Sequence, residues 1–103
     1  MIKTIEIIIQ NGMFEKIRCF IVWEKDICYL NEKKIEIEKE WKERLLRTIR
    51  LWKKEYGIVN GMDQEEFKIT IVSNEEEVIH GKGVFPNNYQ ELLELLGELN
   101  DKE

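Results

Sequence analysis

His80 is the only histidine of this chain, Cys19 and Cys28 are its only cysteines, and Ser73 is its only serine. Imidazole, thiolate or activated-serine chemistry must therefore be built from these four residues. A zinc site of Cys19, Cys28 and His80 would need its ligands gathered at short spacings. The histidine instead lies more than fifty residues from either cysteine, between Ile79 and Gly81. Ser73 falls at a hairpin turn, outside the strand–elbow–helix setting that activates a hydroxyl. The glutamates are many, but they sit on helix exteriors and in turns such as Glu75-Glu76-Glu77. A working carboxylate pair needs an apolar cleft that drives its two pKa values apart. Gly81-Lys82-Gly83 is too short to cradle a phosphate and runs toward Phe85-Pro86 rather than into a helix. The chemistry-bearing residues thus argue against an enzyme, and no catalytic, metal-ligating or cofactor-binding residue and no cofactor is expected.

One pattern does have functional potential. In Lys39 to Tyr56, Trp41, Leu45, Thr48, Ile49, Trp52 and Tyr56 recur at intervals of three and four and define one apolar helical stripe. Arg44, Arg47, Arg50 and Lys54 lie on the opposite side, with Leu51 among them. Such a row of cations is explained by simple solvation, by an acidic protein partner, or by a nucleic-acid backbone whose phosphates a helix can track. Glu40 and Glu43 also lie at spacings that pair with Arg44 and Arg47. The net charge of −5 and the lack of a groove-reading motif favour protein over nucleic acid. Leu51 framed by arginines has the character of an interface anchor. The expected partner-binding surface is therefore Arg44, Arg47, Arg50, Leu51 and Lys54, on a protein–protein interaction module, with nucleic-acid binding by the same helix as the alternative.

The length of 103 residues fits one domain with one modest core. Charge is unevenly placed: residues 39–54 carry seven Lys/Arg against two Glu, and residues 62–103 carry eleven Asp/Glu against three Lys. A chain so divided can attract an oppositely charged partner or a second copy of itself. The opening MIKTIEIIIQ lacks the features of a secretory signal, and no segment approaches the ~20 apolar residues of a membrane span. A soluble, cytoplasmic protein with reduced, buried cysteines is expected.

Around the helix the pattern is mostly β. Ile2 to Gln10 alternates Ile5, Ile7 and Ile9 on one face and reads as a strand. Asn11-Gly12 is a hairpin signal, Ile17 to Trp23 returns, and Ile27 to Leu30 adds a short third strand. Asn31 to Glu38 reads as a connector. Gly57 is placed to end the helix in a left-handed conformation, and Ile58 to Gln64, with Asn60-Gly61, is a loop. Phe67, Ile69 and Ile71 mark the next strand, and Glu77 to Val84 returns. Gly81 and Gly83 share a face, which predicts a bulky neighbour, a tryptophan, against bare backbone. After Pro86, Asn87 or Asn88 can cap a last helix carrying Tyr89, Leu92, Leu93, Leu96 and Leu99, with a capping box in either register. Leu46 and Leu95 flank the two stripes as further candidate contacts.

The run HGKGVFPNNYQELLELLGEL, through Gly81, Phe85, Pro86, Tyr89, Glu91, Leu92 and Leu93, resembles the C-terminal third of small uncharacterised bacterial single-domain proteins. In those proteins the preceding strand often begins with tryptophan after Asp-Gly, where this chain has Phe67 and Asn60-Gly61. The resemblance implies a fold and no activity. Together these readings predict an α+β two-layer sandwich. An antiparallel sheet of about five strands would carry two helices on one face, in the order β-β-β-α-β-β-α. A homodimer through Leu51 or through an exposed Ile2–Gln10 edge strand is a further expectation.

Overall fold

A computed structural model describes residues 1–11, 15–58 and 65–102 of the chain. The turn residue Gly12 and the loop containing Asn60-Gly61 lie outside them. Two helices cover one seven-stranded sheet. Strands β1 (Thr4–Asn11), β2 (Glu15–Val22), β3 (Ile27–Leu30) and β4 (Lys33–Glu36) precede helix α1 (Lys39–Ile49). Strands β5 (Glu55–Ile58), β6 (Glu65–Val72) and β7 (Glu76–Lys82) then lead to helix α2 (Tyr89–Asn100). The sheet order is β4-β3-β2-β1-β6-β7-β5. All neighbours are antiparallel except β5 and β7, which run parallel.

Register follows hydrophobic alternation. Ile5, Ile7 and Ile9 of β1 stand opposite Ile21, Cys19 and Ile17 on one side and Ile71, Ile69 and Phe67 on the other. These residues share one face with Cys28, Leu30, Ile35 and Ile79. Trp41, Leu45 and Ile49 of α1 and Leu92, Leu95, Leu96 and Leu99 of α2 join them in one core. Each fully buried large side chain stabilises by roughly 1.5–3 kcal/mol. The Trp41 indole N–H donates to the Leu95 carbonyl at 3.0 Å and ties the helices together. Leu95 is therefore core, not a surface contact. Among the described residues no helix lies over the opposite sheet face, as a largely antiparallel sheet permits.

Several expectations are corrected. The sheet has seven strands and is mixed, because Lys33–Glu36 pairs with β3 and Glu55–Ile58 pairs with β7. Residues 31–38 are thus a hairpin arm rather than a connector; Asn31 and Glu32 form a two-residue turn with φ of 49° and 75°. Strand β1 lies between β2 and β6, so it offers no edge for dimerisation. Helix α1 ends at Ile49, seven residues before Tyr56.

That last correction has a tertiary cause. Asn88 precedes α2, but its side chain caps nothing there. Its amide donates to the Thr48 carbonyl at 2.9 Å, near the end of α1, and its Oδ1 accepts the Trp52 indole N–H at 2.6 Å. An orphan carbonyl of α1 is thereby satisfied by the other helix. Trp52 and Tyr56 keep their place against Phe67, with ring centroids 5.8 and 6.1 Å away, on a chain that has left the helix. Gly57, with φ of 88°, belongs to β5 and not to a helix end. The neighbours over Gly81 are Phe67 and Tyr56 rather than a tryptophan. Phe85 and Tyr89, 4.5 Å apart, complete this aromatic cluster.

Candidate functional site

The five residues expected to act together are divided by the fold. Arg44 makes a two-pronged pair with Glu98 of α2, at 2.7 and 2.6 Å. Its guanidinium holds the Glu98 carboxylate below the usual range. Both partners are about half exposed, so water screens the pair, which acts as an inter-helix strap rather than a docking group. Beside it, Arg44, Arg47, Thr48, Glu91, Glu94 and Leu95 line a small cleft of about 280 Å³ between the helices. The acidic side of α2 thus answers part of the basic side of α1, through the Arg44–Glu98 pair. Leu51 is 90% exposed beyond the end of α1 and packs into nothing.

Arg47, Arg50 and Lys54 do come together, around a groove of about 630 Å³ at the corner where α1 overhangs β6 and β7. Its floor is Ile71 and Ile79, its wall Leu46 and Ile49, and its end Trp52. Glu43 and Glu77 also reach the rim. Among the described residues, Arg47, Arg50 and Lys54 form no ion pair. The other prominent cation of α1 is engaged. Lys42 donates to the Trp23 carbonyl at 2.9 Å, pairs with Asp26 and lies 4.9 Å over the Trp23 ring. The floor and wall leave little trace in the sequence, since which strand ends outrun the helix is a tertiary fact. Leu46, apolar but outside the buried stripe, was the one local signal.

The chemistry-bearing residues stay apart. Cys19 and Cys28 lie side by side in the core, Sγ to Sγ 2.9 Å, unbonded and wholly buried. The hydrogen bond shared with Cys28 and then burial push the Cys19 thiol up, and the same bond draws Cys28 down against its own burial. His80 pairs with Lys68 on the other sheet face, several strands away. Ser73 hydrogen-bonds only within its own turn, to the Glu75 carbonyl. Among the described residues no cluster of three or more His, Cys, Asp or Glu could hold a metal, and no helix is long and apolar enough to cross a membrane. No protein family, curated protein or solved structure matches the chain.

Proposed function

We propose that this chain is a non-catalytic protein–protein interaction module of a bacterial cytoplasm, and that its partner docks in the groove below the last turns of α1. One observation carries the reading: three cations without ion pairs among the described residues, Arg47, Arg50 and Lys54, rim a groove floored by Ile71 and Ile79. Free cations beside an apolar depression suit a segment that brings both carboxylates and an aliphatic anchor. The same cations could contact nucleic acid, but a phosphate backbone has nothing to place over two isoleucines. Of the five residues first singled out, Arg44 is spent on Glu98, and Leu51 stands exposed outside the groove.

The test is the triple variant R47E/R50E/K54E, with R44E as a comparison. The triple variant should keep its circular dichroism and lose co-purifying proteins, whereas R44E should lose stability before it loses partners. Retention of every partner by a folded triple variant removes this surface from consideration. Anisotropy titration with DNA and RNA at ~50 mM salt should show no binding; a salt-sensitive complex would favour the nucleic-acid reading instead.

A further inference from the structure

We propose that the partner segment enters as an added β-strand, pairing with the free edge of β7 and setting alternate acidic and apolar side chains into the groove. This rests on the groove being the partner site and adds how the partner is held.

The argument starts from backbone groups. The His80 N–H donates outward to the Lys54 carbonyl at 3.0 Å. Even-numbered residues of β7 therefore direct their N–H and C=O away from β6, and odd-numbered ones toward it. Strand β5 reaches only part of that edge, with Glu55 opposite His80 and Ile58 opposite Lys82. Among the described residues, no strand pairs with the outward groups of Glu76 and Val78. Glu77 and Ile79, between and beyond them, point to the helix face and line the groove. Unspent main-chain bonds and an apolar, cationic groove thus lie side by side.

The other edge of the sheet is guarded. Strand β4 carries Lys33, Lys34 and Glu36, and the Lys102 ammonium donates to the Glu36 carbonyl at 3.4 Å. Charges of this kind discourage added strands. The β7 edge also carries charge, at Glu76 and Glu77, but among the described residues no side chain is bonded across its outward groups as Lys102 is at Glu36.

A segment placed there presents every second residue to the groove, about 7 Å apart along the strand. The position between the unpaired groups of Glu76 and Val78 stands opposite Glu77, toward Ile71, and calls for an aliphatic residue, because a carboxylate there would meet the Glu77 charge. The next on that face lies toward Arg47, Arg50 and Lys54 and calls for a carboxylate. Main-chain bonds then give affinity and the alternating positions give specificity. A second copy of this chain fits poorly. The register in which Glu76 and Val78 both bond to a copy sets Glu77 directly against its own counterpart, and like charges so placed destabilise.

The probe is a fluorescein-labelled nine-residue peptide in which Ile and Glu alternate at every second position and Thr fills the rest, read by anisotropy. Replacing its Glu by Lys should abolish binding. N-methylation of one alternate set of amides should weaken it about tenfold or more, and of the other set should leave it unchanged. On the protein, Val78→Pro removes an outward N–H at an edge, where proline is tolerated, and should bring a similar loss. In the wild type the Val78 amide should exchange at least about tenfold more slowly with peptide bound.

Equal effects of the two N-methylation patterns, or unchanged binding by Val78→Pro, overturn strand addition. If R47E/R50E/K54E still weakens binding in that case, the groove reading survives alone. No binding by the peptide also overturns the proposal. So does a concentration-dependent dimer in light scattering that Val78→Pro removes, which would give the edge to a second copy.

Discussion

Gly81→Ala tests the packing at the heart of the aromatic cluster. A methyl group at Gly81 would meet the Val84 carbonyl oxygen at 2.7 Å, Phe67 Cε1 at 2.8 Å and Tyr56 Cβ at 2.9 Å. Two of the three are backbone or backbone-proximal atoms that no side-chain rotation can clear. Phe67 is itself fully buried, with Phe85 and Tyr89 against it at 5.8 and 5.3 Å. Overpacking of this kind costs about 1–3 kcal/mol, and the upper half of that range applies because backbone must move. Alanine's smaller loss of chain entropy offsets about 0.4–1 kcal/mol. The net expectation is a loss of about 2 kcal/mol, or a Tm lower by roughly 8–16 °C for a domain of this size. Gly97→Ala supplies the internal control. Gly97 is helical and exposed, with nothing within 4 Å of its added methyl, so the same substitution should gain about 0.5–1 kcal/mol. Urea unfolding followed by circular dichroism measures both. A Gly81→Ala loss below about 0.5 kcal/mol would mean that β7 does not lie against Tyr56 and Phe67 as described.

Glu32 holds φ of 75° in the β3–β4 turn, so Glu32→Gly should stabilise by about 1 kcal/mol in thermal unfolding; any loss would argue against a two-residue turn there. The Tyr89 hydroxyl is buried and has no hydrogen-bond partner in good geometry, although burial and the nearby Glu65 carboxylate hold its phenol above the usual range. Tyr89→Phe should therefore be neutral or gain up to about 1 kcal/mol, and a loss above about 1 kcal/mol would assign the hydroxyl a real bond to Glu65. Cys19 and Cys28, wholly buried, should resist a thiol-specific aromatic disulfide in the native state and react together on unfolding. Fast native labelling of either would place that part of the core in solvent.

What could be read from the chain was what depends on local pattern. Alternation in Ile5, Ile7, Ile9 and in Phe67, Ile69, Ile71 marks strands buried on one face; the helical stripes pack through Trp41, Leu45 and Ile49 and through Leu92, Leu96 and Leu99, with Leu95 buried and Leu93 only partly so. The missed strands lack such marks. Lys33–Glu36 buries Ile35 alone, and its turn uses Asn-Glu where Asn-Gly is the familiar signal. Glu55–Ile58 is held by a parallel neighbour far along the chain, and parallel pairing leaves no hairpin trace in the sequence. The capping-box signal at Asn88 was genuine chemistry with another recipient, the Thr48 carbonyl of α1.

The misplaced end of α1 and the incompletely read site share one cause. On a helix continued to Tyr56, Lys54 would stand opposite Trp41 and Trp52, and Arg44 through Lys54 would form one outward row. The chain instead leaves the helix after Arg50, because Asn88 takes both the Thr48 carbonyl and the Trp52 indole. Trp52 then closes the end of the groove, and Lys54 turns from the far face to its rim. The same departure sends β5 onto β7 only from His80 onward, leaving the edge at Glu76 and Val78 unpaired. Periodicity alone could not signal the break, since Trp52 and Tyr56 remain in phase with the stripe and still reach Phe67. One side-chain amide, forty residues beyond the carbonyl it caps, thus shapes both the groove and the free strand edge beside it.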